Sequence, residues 1–287
     1  MNKYKKYLSL MLIVVLLACT PICYAKTNIG SEIKNQQLVL NQTGSELETN
    51  ESKANALCFK DVNLKYNDRG ICILTYHCIG YEKNNGLKLP EQQFRQQMKY
   101  IKDNGYTTIT LDQLYKFMLE NKPVPQKSVV ITFDDGYVDN YQYAYPILKE
   151  FNLKATIFVI SKTIDKRQNY MTSNQLKELQ ANGIDIESHT LDHEDLPTLS
   201  YEKQLNILKE SKKTLEKVLC KKVNYIAYPY AKYNPDTIRA ARDAGYVMGF
   251  ILGGKVARKN DGIYTLHRIC VVPDDSMDVL RSRLNTR

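Results

Sequence analysis

The spacing of apolar residues divides the chain into three parts. Leu8 to Cys19 is one continuous apolar run, residues 26 to about 68 carry few large apolar side chains, and from Arg69 onward short β-branched runs alternate with stretches of helical period. The short runs are Ile71 to Tyr76, Thr107 to Ile109, Val129 to Phe133, Ala155 to Ile160, Ile184 to Glu187, Val223 to Tyr228, Tyr246 to Phe250 and Arg268 to Val272. Their length and composition predict about eight strands, separated mostly by amphipathic helices. Helix punctuation agrees: Thr110 with Gln113 and Thr172 with Gln175 read as capping boxes, Asn234 with Pro235 as an N-cap and first-turn pair, and Gly105, Gly183 and Gly245 stand where helices should stop. Repeated strand–helix units in one block, residues 69–287, predict an α/β fold, either a parallel barrel or an open doubly wound sheet. No internal repeat is visible.

The first two parts read differently. Lys3, Lys5 and Lys6, the apolar run and Cys23-Tyr24-Ala25 form the three regions of an export signal, so residues 1–25 are expected to be a leader. Leu16-Leu17-Ala18-Cys19 also resembles a lipoprotein box, which leaves a lipid anchor at Cys19 open; the run is short for a bilayer span of ~20 residues. Residues 26–68 are too polar to offset the entropy of ordering and are expected to be a tether. An exported protein, extracellular or held at the cell surface, follows from this reading.

Charge and cysteines narrow the partners. Subtracting the three leader lysines from the formal charge of +9 leaves +6. Lys and Arg are interspersed with acids instead of forming one stripe, so no nucleic-acid face is expected, although an anionic wall polymer or membrane surface would attract such a protein. Cys58, Cys72, Cys78, Cys220 and Cys270 lie beyond the leader. An odd number without CxxC pairs is neither a disulfide framework nor a zinc ribbon, and the pairing of any one bridge stays open.

The chemistry sits at the carboxyl ends of the predicted strands. His77 follows the first, Asp134 and Asp135 the third, His189 the fifth and Tyr228-Pro229-Tyr230 the sixth, which is the end where a barrel of this kind builds its active site. His189 and His193, two of only four histidines, are four apart and can reach one ion. A catalytic zinc takes three protein ligands and keeps one position open, so one carboxylate of the Asp134–Asp135 pair can complete the set while the other stays free as a base. Consecutive side chains point in different directions, so Asp135 can bind the ion while Asp134 faces the water, with Gly136 permitting the tight turn. Either short run alone could be a plain turn or a pair of solvated histidines; together on one rim they point to metal-assisted hydrolysis.

Thr132-Phe133-Asp134-Asp135-Gly136-Tyr137, Ser188-His189-Thr190-Leu191-Asp192-His193 and Ala227-Tyr228-Pro229-Tyr230 resemble the first three motifs of the polysaccharide deacetylases of carbohydrate esterase family 4, the NodB homology domain, over about residues 69–287. The resemblance implies a distorted (β/α) barrel, Asp134 as catalytic base, Asp135, His189 and His193 on a divalent metal, most simply zinc, and the Tyr230 backbone N–H at the oxyanion. It implies an N-deacetylase of an acetylated amino-sugar polymer such as peptidoglycan, poly-N-acetylglucosamine or a chitin-like glycan; a monomer is expected.

Two departures matter. The family's third motif carries an Arg where this chain has Ala227, and Arg268 on the last predicted strand can supply that charge or can be an ordinary ion-paired arginine. The chain contains no tryptophan, so the Trp-bearing fourth motif is absent as usually written. The general acid is expected at His77, because Thr75-Tyr76-His77 resembles the permuted position of the exported poly-N-acetylglucosamine deacetylase branch, with His267 of Leu266-His267 as the alternative. An O-acetyl esterase and a non-catalytic carbohydrate binder on the same fold are the competing readings. Tyr137, Tyr228, Tyr230 and Tyr233 are rim aromatics that could stack on sugar rings or simply pack the barrel edge.

Overall fold

Successive side chains on a strand point to opposite faces, and here nearly every side chain of the main strands is buried, so both faces must be covered. The computed structural model describes residues 63–80, 82 and 85–286. The expected leader, Cys58 and the expected tether up to residue 62 lie outside the described residues. Within the compact unit Asp61–Arg287 the chain forms β1 (Cys72–Tyr76), α1 (Glu91–Asp103), β2 (Thr107–Thr108), α2 (Leu111–Glu120), β3 (Ser128–Phe133), α3 (Tyr145–Glu150), β4 (Ala155–Val159) and α4 (Ser173–Ala181). It continues through β5 (Ile184–Ser188), α5 (Tyr201–Leu219), β6 (Tyr225–Ala227), α6 (Pro235–Asp243), β7 (Met248–Leu252), β8 (Leu266–Cys270) and α7 (Met277–Asn285).

The sheet is parallel throughout and closes on itself in the order β1-β8-β7-β6-β5-β4-β3-β1. This is the distorted (β/α) barrel, with seven staves. The eighth expected strand exists as β2, but it pairs only with β3 from outside the ring. Three strands begin two residues away from where their apolar runs indicated, β6 at Tyr225 instead of Val223 among them. Tyr246 is still in the turn that leaves α6, its N–H bonded to Ala241 O, and β8 starts at Leu266, whose polar neighbours Thr265 and His267 hide the strand.

Strand alternation divides the core into two layers. Cys72, Leu74, Tyr76, Val129, Ile131 and Phe133 face outward onto the helices. Ile71, Ile73, Val130, Phe158, Tyr225, Met248, Phe250 and Leu266 fill the barrel together with Leu114, Phe117 and Met118 of α2. Ile71 and Tyr225 lie at the amino ends of their strands, so α2 closes that end, and the Tyr225 hydroxyl bonds Asp112 of the same helix. The carboxyl ends are left for chemistry.

The helix starts are those predicted. Thr110 Oγ1 accepts from Gln113 N at 3.2 Å while Gln113 Oε1 accepts from Thr110 N at 3.0 Å, and Thr172 with Gln175 repeats the arrangement. Thr110→Ala removes one of the two reciprocal bonds at the start of the closing helix. We expect a loss of about 1 kcal/mol in denaturant unfolding with rim chemistry unchanged.

Candidate active site

Asp134 and Asp135 follow directly on β3, whose last residue pairs with Tyr76 at the end of β1. Asp134 N–H donates to Tyr76 O at 3.0 Å, which prolongs the strand by one residue. The chain then turns sharply, with φ of 72° at Asp135 and 81° at Gly136. A Cβ on Gly136 would sit 3.1 Å from both γ-carbons of Val159, so the turn needs glycine for its space as well as for its φ. The turn is what sends the two neighbouring carboxylates to different partners.

The Asp134 side chain points into the barrel. Arg268 Nη1 and Nη2 donate to its two oxygens at 2.7 and 2.8 Å, a bidentate pair in which Arg268 is 0% and Asp134 2% exposed. The guanidinium lies 5.2 Å from the Phe158 ring centroid and 6.0 Å from that of Phe250, and also reaches Thr132 Oγ1 at 3.4 Å. Burial alone would raise the pKa of Asp134, but Arg268, together with the neighbouring His189 and His77, keeps the carboxyl well below the usual carboxylate range. Arg268 is thus placed inside the barrel and paired with Asp134.

Asp135 has no such partner. Its Oδ1 lies 3.4 Å from His189 Nε2 and 3.4 Å from His193 Nε2, is buried, and accepts no hydrogen bond. His189 Nδ1 is 2.8 Å from Ala227 O; a carbonyl only accepts, so Nδ1 carries the proton and Nε2 turns a bare lone pair toward Asp135. Burial lowers the pKa of both imidazoles, His189 to about 4, and so keeps them neutral. Burial, and after it the charge of Asp134, push Asp135 up to about 7. Three electron-pair donors within 4.8 Å of one another, one of them an orphaned carboxylate oxygen, can hold a divalent cation.

The remaining expected residues separate. His77 stands just beyond β1, where Asp134, Arg268 and His193 all act on it; burial is the first cause lowering its pKa. Its Nδ1 is buried without a partner, and its carbonyl accepts from Asn140 Nδ2 at 2.7 Å. His267 lies next to Arg268 on β8 and therefore points out of the barrel, against Gly253 and 4.0 Å from Asp261. The Tyr230 ring meets His193 edge-on at 4.5 Å, and Tyr230 and Ala231 form a left-handed turn with φ of 57° and 56°. Tyr230 is 59% exposed and Tyr233 41%, whereas Tyr228 is buried. Tyr137 packs on Tyr170 at 5.0 Å.

Thr132, Asn140, Phe158 and Phe250 touch this constellation without having been singled out from sequence. Only Thr132 carried a signal, since it lies two residues before Asp134 on the same strand face.

Residues 121–249 match the family profile described as polysaccharide deacetylase. The Bacillus subtilis protein YxkH, named for that family, is 41% identical over 201 residues, 70% of this chain and 71% of that protein. A Staphylococcus aureus poly-β-1,6-N-acetyl-D-glucosamine N-deacetylase is 29% identical over 297 residues, covering 98% of this chain and 97% of that protein. Among solved structures, the Streptococcus pyogenes deacetylase PplD in complex with acetate superposes with a TM-score of 0.73 at 32% identity, over 76% of this chain and 99% of that one.

Proposed function

The chain belongs to the polysaccharide deacetylase family, and we propose that it is a metal-dependent hydrolase that removes N-acetyl groups from N-acetylglucosamine residues of an exported or cell-wall polysaccharide. The observation that carries this reading is the pairing of a three-residue donor set, Asp135, His189 and His193, with a neighbouring carboxylate kept ionised by Arg268. A carbohydrate binder has no use for that second carboxylate. The missing arginine of the third motif, which favoured a binder, is offset by Arg268.

Asp135, His189 and His193 would hold the cation, with zinc the ion that suits two imidazoles and a carboxylate, and when bound it would supply Lewis-acid polarisation of the acetyl carbonyl. The chain's own groups divide the remaining work. Asp134, ionised and fixed in both oxygens by Arg268, takes the proton from the attacking water. The Tyr230 N–H, presented on its left-handed turn beside His193, donates to the developing oxyanion. His77 returns a proton to the departing nitrogen; its lowered pKa makes the imidazolium a stronger donor, while the Asp134 charge beside it favours its formation.

The S. aureus relative makes a β-1,6-linked N-acetylglucosamine polymer the first substrate to try, and the expected leader supports an exported protein at the cell surface. Acetate release by the full-length protein should be measured on poly-β-1,6-N-acetylglucosamine, chitooligosaccharides and peptidoglycan fragments, with and without chelator. Release from one of these that stops with chelation is expected; none from any would leave the binder. His77→Ala is expected to lower amide cleavage at least ~10-fold more than cleavage of an activated acetyl ester, whose leaving group needs no proton. Equal losses on both would move the acid elsewhere, and activity confined to esters would make the protein an O-acetyl esterase.

A further inference from the structure

We propose that Ser211, on α5, is a positioning residue that fixes the spacing of His189 and His193 by locking the turn between them; this rests on the reading of Asp135, His189 and His193 as a cation site. Between the two histidines the chain enters the left-handed region at Thr190, with φ of 67°. A β-branched residue rarely goes there, because its Cβ crowds the following carbonyl. Such a residue stays strained only where its surroundings over-determine it.

The surroundings do so through a closed ring of hydrogen bonds. Ser211 Oγ lies 2.8 Å from Thr190 O and 2.9 Å from Ser188 Oγ, and Thr190 N–H donates to Ser188 Oγ at 3.3 Å. Directions follow from the number of hydrogens. Thr190 O can only accept, so it takes the single Ser211 hydroxyl proton, and Ser188 must then be the donor to Ser211 Oγ. The sequence of donors is Thr190 N–H to Ser188, Ser188 O–H to Ser211, and Ser211 O–H back to Thr190 O. Each donor is used once, and both polar groups of the turn residue's backbone are engaged.

Ser188, Thr190 and Ser211 are all 0% exposed, so water cannot replace a missing member. Ser161 N reaches Thr190 O at 3.2 Å and Lys162 N reaches Leu191 O at 2.9 Å, which holds the outer side of the turn. Ser211 is the ring member contributed by a helix, 21 residues from Thr190 along the chain. Its hydroxyl therefore ties the ligand turn to α5 and transmits to the imidazoles a geometry that the turn alone would relax.

Zinc affinity of the metal-free, full-length protein is the test, read by titration against a chromophoric chelator. Ser211→Ala is expected to weaken zinc binding by ~10-fold or more, the range that loss of an outer partner costs. Ser211→Cys fills the same space with a weak donor and should weaken it similarly while unfolding near the wild-type temperature, so a folding defect can be told apart. In a Thr190→Gly background the turn costs no strain, and Ser211→Ala should then change affinity less than ~3-fold. Wild-type affinity in both Ser211 variants, or the same loss with and without the glycine, would overturn the role of Ser211. Failure of the unmodified protein to bind zinc would instead overturn the cation-site reading, and this inference with it.

Discussion

Asp134→Asn is expected to lower kcat for acetate release by about 10²–10⁴-fold, the range a general base contributes, while the zinc content of the folded protein stays near that of the wild type. The same substitution should also destabilise. Arg268 is 0% exposed and gives both terminal nitrogens to Asp134, so a neutral amide leaves a buried cation without its counter-charge. Breaking a buried pair from one side costs about 3–5 kcal/mol. Rate loss and stability loss must therefore be separated, which the double variant Asp134→Asn, Arg268→Gln does: two neutral groups should recover most of the stability and none of the rate. Full activity in a metal-loaded Asp134→Asn protein would remove Asp134 from the role of base.

The other large effect concerns the donor set. His189→Ala and His193→Ala are each expected to weaken zinc binding by more than the ~10–100-fold that an outer partner is worth, and to abolish acetate release in parallel. Their structural costs should differ. His189 is buried and donates to Ala227 O, so its removal opens a cavity and orphans a carbonyl, whereas His193 is half-exposed and its removal does neither. Measured together, thermal unfolding of the metal-free proteins should fall clearly for His189→Ala and little for His193→Ala, with zinc content falling for both. A variant that lost activity but kept its zinc would show that the histidine acts on substrate and not on the ion.

These substitutions mark the boundary between what could be read along the chain and what could not. The Asp134–Asp135 turn and the His189–His193 pair were legible because each is local: strand, tight turn and ligand spacing lie within a few residues, and backbone geometry alone decides which way neighbouring side chains point. Arg268 was not. Its partner is 134 residues away, and its two readings, holding Asp134 or pairing elsewhere, differ only in what the far side of the barrel brings to it. The different surroundings of His77 and His267 have the same origin. Both follow or occupy a strand of the ring, yet alternation on β8 turns His267 outward because Arg268 points in, while His77, just past the end of β1, stays among Asp134, Arg268 and His193.

Local chemistry written in the sequence was thus sufficient for the alternation of strands and helices, the capping of Thr110 and Thr172, and the placement of Asp134, Asp135 and His189 at strand ends. Only closure of the barrel decided that seven of the eight strand runs form the ring, that an arginine from β8 pairs with Asp134, and that a serine in α5 reaches the turn between two histidines. The reason is physical. Periodicity and turn chemistry act over a few residues, whereas a buried charge or hydroxyl finds its partner through the register of parallel strands, which depends on packing the whole core at once.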